Sequence, residues 1–345
     1  MILGYRAEYL ARTVASASKP VLVLCFNEPL GVKLNSLFEA KGLADRVHAR
    51  HFHKWCHAQL TAYGQGLPPD GTGFFESLVA RVIKAVERSQ IPSGQYRAVL
   101  IDEGHDFKPE WLMLVTQLVD PHTNSLLLLY DDAQSIYERR HPKQFSFKSV
   151  GIQAQGRTTI LKINYRNTRQ ILQVANRIAA DLLRPEDRDD DGIPLLRPIS
   201  HGRDGDAPLI IRLPTLADEA HEIAERLQAS HQEGHAWGDM AIVCRDTFVM
   251  EACAAALRRK RMPHQIRKRS GDFKPTLDEI KILTMKAGKG LEFPVVAIPG
   301  LGRMPVEHQD ESEEARLFYV AATRATDKLL ITVSGDGLFG RKLGV

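Results

Sequence analysis

The sequence predicts an α/β protein of two lobes, each a parallel sheet flanked by helices. Three observations lead to the α/β part of that expectation. Short apolar runs such as Val21–Phe26 and Ala98–Ile101 lack polar alternation, as strands buried on both faces do. Stretches with apolar positions at helical spacing separate them, and strand alternating with helix implies parallel pairing through right-handed crossovers. The length of 345 residues allows two cores of ordinary size.

A first lobe is expected over residues 1–155. A helix is predicted at 5–17, where Ala7, Leu10 and Val14 share a face, then a buried strand at Val21 to Phe26 and a helix from Leu30 to Ala40. The HFHKWC stretch at 51–56 and a Gly/Pro-rich loop at 64–73 precede a helix at 74–89. Next comes Tyr96 to Trp111, YRAVLIDEGHDFKPEW, on which the lobe is centred. Its strand Ala98–Ile101 delivers Asp102 and Glu103 at the carboxyl end, where open α/β sheets bind ligands. Gly104 permits a sharp exit, and Pro109 suits the first turn of a helix from about 110. A strand from Leu126 to Tyr130 ends in DDAQSIY (131–137), and the linker is expected at 145–157.

The second lobe, 156–345, continues the alternation. Strands are expected at 158–163, 208–213, 240–245, Ile280 to Thr284, Val295 to Ile298 and Lys328 to Val333. Helices are expected at 168–183, 216–230, 247–260 and 313–325, with an acidic loop at 185–192.

Composition narrows the function classes. Hydrophobic content of 43% and charged content of 26% suit a globular chain and exclude a disordered one. No apolar run approaches the roughly 18–20 residues of a membrane span. The start MILGYRAEYLAR lacks the layout of a signal peptide. Cys25, Cys56, Cys244 and Cys253 have no metal-ligand spacing and read as reduced thiols, so a cytoplasmic location is expected. The net charge of +4 argues little, but Arg258 to Arg269 (RRKRMPHQIRKR) holds seven basic residues in twelve. A solvated helix end is the plainer reading of that cluster, nucleic acid the other.

Adjacent Asp and Glu after a buried strand form a recurring device of phosphate chemistry. The Asp holds Mg²⁺, usually through water, and the Glu polarises an attacking water. Taken alone, the pair reads equally well as acids on a solvated loop.

Five segments in register settle the choice through a resemblance. IDEGHDF (101–107), DDAQSIY (131–137), LKINYRN (161–167), TMKAGKGLEFPVV (284–296) and EEARLFYVAATRA (313–325) resemble motifs II to VI of superfamily 1 helicases of the UvrD/Rep type. LCFN (24–27) and HFHKW (51–55) resemble two upstream blocks. The resemblance implies two RecA-like lobes with a nucleotide cleft between them, and an ATP-dependent DNA helicase or single-stranded DNA translocase moving 3′→5′, with ATP and Mg²⁺ as cofactors and single-stranded or partly duplex DNA as partner. Its roles fall on Asp102 for the metal, Glu103 for catalysis, Gln134 for positioning water, and Arg166 and Arg324 for neutralising the γ-phosphate. Arginine suits that task because its fork bonds phosphate oxygens bidentately. Tyr165 is implied to stack on adenine and Glu292 to lie near the nucleotide. Phe26, His53, Thr284 and Lys286 are implied DNA contacts, whereas Phe52 reads as core.

The departures are specific. No GxxxxGK[ST] stands anywhere in the chain, and GKGLEF at 288–293 belongs to motif V. The chain is expected to start just after that loop, in an incomplete first lobe lacking its first strand. A fused or separate N-terminal segment is then the expected supplier, and an unpaired strand edge or an open apolar slot is expected beside Ala98 to Ile101. Without it, little ATP hydrolysis is expected, and a non-hydrolysing DNA-binding or regulatory remnant is the alternative. His105 stands in place of the family's usual Gln, Lys286 in place of a His, and Arg139 near a usual Trp. The short spacing between 260 and 284 leaves no room for the large insertion of full-size relatives, which implies a minimal motor.

Overall fold

The computed structural model describes residues 2–130, 146–159, 164–179 and 203–345. They fall into two compact units, residues 2–130 with 146–159, and residues 164–179 with 203–345.

In the first unit, α1 (Ile2–Thr13), β1 (Val21–Cys25), α2 (Glu28–Ala40), β2 (Val47–His51), α3 (Phe52–Ala62), α4 (Phe74–Glu87), β3 (Ala98–Ile101), α5 (Pro109–Leu118) and β4 (Leu126–Leu128) follow in chain order. The strands form a parallel sheet in the order β2-β1-β3-β4. Every residue of β1 and β3 is buried, because successive side chains enter two different cores. Leu22, Leu24, Val99 and Ile101 join α3, α4 and α5 on one face. Val21, Val23, Ala98 and Leu100 join α1 and α2 on the other.

Three expectations need correction here. The first helix spans 2–13 rather than 5–17; it begins early enough to bury Leu3, and the chain turns after Thr13, where Ser16 Oγ accepts from Lys19 N at 3.1 Å. The strand β2, whose VHARH sequence gives no clear apolar run, was not expected at all. The open edge does not lie beside Ala98–Ile101, which pairs with β1 on one side and β4 on the other. Among the described residues the sheet's edges are β2 and β4, and the three leucines of β4 are only half-buried.

The second unit contains α6 (Arg169–Ala179), β5 (Leu209–Arg212), α7 (Leu216–Gln232), β6 (Met240–Cys244), α8 (Thr247–Arg259), β7 (His264–Ile266), β8 (Ile280–Thr284), β9 (Phe293–Ile298), α9 (Glu311–Ala322), β10 (Ala325–Val333) and α10 (Leu338–Leu343). Its six strands are parallel in the order β5-β10-β9-β6-β8-β7. Met240, Ile242, Val295 and Ala297 pack under α7 and α8, and the alternate residues Ala241, Val243, Val296 and Ile298 are buried on the opposite face. Glu219 of α7 is buried and accepts from Gly300 N at 2.7 Å, Thr332 Oγ1 at 2.6 Å and Ser334 Oγ. That single carboxylate ties a helix to the ends of β9 and β10. The short edge strand β7 and the last helix α10 escaped the sequence reading; the expected strand at 158–163 and the acidic loop lie wholly or mostly outside the described residues.

Candidate functional site

On the first unit, pairing carries the backbone of β3 up to the carboxylates: Asp102 N donates to Leu24 O at 2.9 Å. Asp102 Oδ1 then accepts from Glu103 N at 3.0 Å. Glu103 sits in the left-handed region at φ 53°, a conformation that costs a non-glycine residue on the order of 1–3 kcal/mol. The sharp exit therefore rests on the glutamate and not on Gly104. The glycine serves close approach instead: a Cβ there would lie 2.3 Å from Leu128 Cδ1, and its N–H donates to Leu129 O at 2.8 Å. His105, itself buried, brings Nε2 to 3.3 Å from Glu103 Oε2 and its ring edge-on to Tyr130 at 5.7 Å. The Cys25 thiol is pushed well up by burial, and next by the charges of Asp102 and Glu103.

Phe26 leaves β1 half-buried, stacked on Trp111 at 5.8 Å and 18°, and edge-on to His53 at 5.4 Å. His53 is buried among Phe26, Phe75 and Trp111, and its Nε2 has no hydrogen-bond partner among the described residues. Burial, then the neighbouring His51, lowers its pKa to about 4, so the ring is neutral at pH 7. A backbone-contacting role for His53 therefore involves no positive charge. Phe52 is fully buried, as expected of a core residue. Phe75, 54% exposed against His53 at 4.7 Å, is the ring of this group that sequence reasoning passed over. Its only signal was a Phe-Phe pair after a glycine-rich loop.

On the second unit, four of the expected residues come together. Asn164 Oδ1 accepts from Arg166 N at 2.8 Å and Asn167 N at 3.1 Å, a turn built by a side chain mimicking backbone. Asn167 is buried, and its Nδ2 donates to Thr323 O at 2.8 Å and Ala325 O at 2.6 Å. The turn carrying Tyr165 and Arg166 is thereby fastened to the junction of α9 and β10. Tyr165 is 73% exposed and so is not a core aromatic. Arg166 Nε lies 3.1 Å from Glu292 Oε2. Arg324 is buried, donating from Nε to Val320 O at 2.9 Å, from Nη1 to Leu291 O at 3.1 Å and from Nη2 to Thr323 Oγ1 at 3.3 Å. Residues 291 and 292 thus link the two arginines, one through a carbonyl and one through a carboxylate. Arg324 is engaged with its own unit rather than projecting from it. Gln134 and Arg139 lie outside the described residues. Asn164 and Asn167 had no role in the sequence reading, though the spacing N-x-x-N around Arg166 was visible.

Thr284 closes β8, and its Oγ1 accepts from Ala287 N at 3.2 Å, shaping the turn that presents Lys286. Lys286 is mostly exposed, with Nζ 3.9 Å from Glu313. Among the described residues no group of three or more His, Cys, Asp or Glu could hold a metal ion. A single carboxylate such as Asp102 suits Mg²⁺, which keeps most of its waters, and unsuits a fully protein-ligated ion.

These features define a two-unit parallel α/β protein with a carboxylate turn on one unit and an arginine-bearing turn on the other. A family model described as the UvrD-like helicase C-terminal domain matches residues 159–275 and 265–335, which together span 177 of the 345 residues. The chain belongs to the UvrD-like helicase family. It is 29% identical over 298 residues to a probable DNA helicase of Mycoplasma pneumoniae, covering 82% of this chain and 53% of that protein. Similarity to the mitochondrial ATP-dependent DNA helicase HMI1 of Saccharomyces cerevisiae is 27% over 195 residues, 54% of this chain and 26% of the relative. With the ATP-dependent DNA helicase PcrA of Bacillus subtilis it is 43% over 72 residues, 19% and 10% of the two chains. The chain therefore spans about half or less of the length of these curated relatives. No helix among the described residues is long and apolar enough to cross a membrane.

Proposed function

We propose that this chain is the core of an ATP-dependent DNA helicase or single-stranded DNA translocase, moving 3′→5′ and acting in the cytoplasm. The observation that carries the reading is the Asn167 clamp, which assembles Tyr165, Arg166, Glu292 and Arg324 from segments far apart in the chain. In this reading the chemistry is divided between the units. Asp102 would hold Mg²⁺, and the ion when bound would supply charge neutralisation for a triphosphate. Glu103, held in its left-handed turn beside His105, orients the attacking water, assisted by Gln134. Tyr165 receives the adenine face, Glu292 keeps Arg166 aimed, and Arg166 offers its fork to the γ-phosphate. Arginines in that role contribute roughly 10³–10⁵ in rate. Arg324, being buried, acts through the same Leu291–Glu292 segment. Single-stranded DNA lies on Phe26 and His53 of the first unit and on Thr284 and Lys286 of the second, by stacking and backbone contact.

Because these 345 residues contain no GxxxxGK[ST], hydrolysis depends on a segment supplying that loop, fused or separate. Three or four charged hydrogen bonds to the triphosphate, at about 1.5–3 kcal/mol each, are what the loop provides. The absence of the motif is also what favours the second reading, a non-hydrolysing DNA-binding or regulatory protein. The test is phosphate release with and without single-stranded DNA, on these residues alone and with a strand and phosphate loop joined upstream. The proposal expects DNA-stimulated hydrolysis only in the joined form, abolished by Glu103→Gln. No hydrolysis in either form supports the second reading, and hydrolysis lost in Glu103→Gln without the loop overturns the account of the loop.

A further inference from the structure

The basic run flagged in the sequence becomes a single surface in the fold. Arg258 and Arg259 close α8, Arg261 follows it, and Arg267 to Arg269 leave the edge strand β7. Glu251 of α8 joins the halves, pairing with Arg258 at 4.0 Å and with Lys268. Lys260 is matched by Glu225, and Asp272 spends its carboxylate on the backbone N–H groups of Lys268 and Arg269. Residues 258–274 hold eight Lys and Arg against one acid, Asp272. The formal excess of the whole chain is only +4. Arg259, Arg261 and Arg269 are exposed and have no acidic partner among the described residues. A solvated helix end does not account for three such arginines on two separate segments.

The stripe also has a direction. Ile266 pairs with Ile282, so Arg267 to Arg269 leave the sheet at the same end as Thr284 to Lys286, one strand away. It lacks stacking platforms: Phe273, the one Phe, Tyr or Trp in 258–274, is buried. Unpaired bases need aromatic faces, whereas a duplex stacks its own bases and offers regularly spaced phosphates that arginine forks fit.

We propose that the stripe from Arg258 to Arg269 binds the phosphate backbone of duplex DNA, beside the single strand at Thr284 and Lys286; the latter placement rests on the function proposed above. The experiment titrates the full chain with three labelled DNAs, a single strand, a blunt duplex and a duplex with a single-stranded tail. It compares wild type with Arg259→Gln/Arg261→Gln/Arg269→Gln, using the corresponding Lys triple as control for charge. Neutralising three phosphates adds about 2.7 to the salt slope, from about 0.9 per contact. Raising salt from 50 to 200 mM should therefore weaken wild-type binding to the tailed duplex by roughly 40-fold more than it weakens the Gln triple. Single-strand affinity should change less than about twofold, and the Lys triple should keep most of the slope. Equal losses on single strand and tailed duplex, or an unchanged slope, overturn the proposal. If wild type binds duplex through the stripe but not the single strand, the stripe stands and the single-strand assignment falls.

Discussion

Asn167 offers the sharpest perturbation, because one buried amide supports the whole arginine-bearing turn. Replacing it with Ala leaves Thr323 O and Ala325 O without the donor that now reaches both, at 2.8 and 2.6 Å. Each buried carbonyl left unpaired costs about 1–3 kcal/mol, so the substitution should destabilise the second unit by about 2–6 kcal/mol. At ~2–4 °C per kcal/mol for a unit of this size, the midpoint of its thermal transition should fall by about 10 °C. Two units can melt separately, and the first unit's transition should stay in place. Asn167→Asp sharpens the argument. It keeps the shape but sets a carboxylate against two carbonyl oxygens, which raises the carboxyl pKa in the folded state. A raised folded pKa gives stability that is present below the unfolded value of ~3.9 and lost as pH rises above it. The Asp variant should therefore approach wild type near pH 4 and fall furthest behind at pH 8. Scanning calorimetry at the two pH values checks both variants. A cost below about 1 kcal/mol for Asn167→Ala, or a pH-independent deficit for Asn167→Asp, refutes the clamp as the organising contact.

Two further outcomes follow from buried groups. Glu219→Ala strands Gly300 N–H and two hydroxyls, and should cost about 3–5 kcal/mol; urea unfolding showing a loss under 1 kcal/mol contradicts the tie between α7 and the ends of β9 and β10. His53 is held neutral, with its pKa lowered to about 4, so the unfolded chain takes up the proton first as pH falls. Stability of the first unit should drop between pH ~6.5 and ~4 and His53→Phe should flatten that drop, read as the urea midpoint at pH 7 and pH 4.5; parallel losses in both proteins count against it.

The parts of the fold legible in the sequence were those fixed by local pattern. Ala98–Ile101 and Met240–Cys244 are apolar throughout because parallel strands are covered on both sides, and that run is readable without tertiary knowledge. The strands β2 and β7 were missed because VHARH and HQI carry polar side chains at sheet positions that lie toward an edge. Chain order also conceals strand order: among the described residues one edge of the sheet falls at Leu126–Leu128 and not beside Ala98–Ile101, since β4, though later in the chain, pairs with β3.

The same division separates the chemistry of the candidate site from its geometry. Motif residues announced which groups are present, because Asp-Glu after a strand or an arginine before a turn has a chemical meaning by itself. What those groups are free to do depends on partners the local pattern cannot show. Arg166 and Arg324 read alike in sequence, yet one is partly exposed against Glu292 and the other is buried, bonded to Val320 O, Leu291 O and Thr323 Oγ1 of its own unit. The amide that sets this difference bonds residues 156 and 158 positions away. Likewise Glu103 reads as an ordinary acid, and only the fold shows its left-handed backbone, with Gly104 packed against Leu128 so closely that no side chain fits. The strain at Glu103 persists because β1 and β4 fix the turn from both sides, through Leu24 O to Asp102 N and Leu129 O to Gly104 N. A backbone held that way presents the Glu103 side chain from a fixed point, which suits the water-orienting role proposed above.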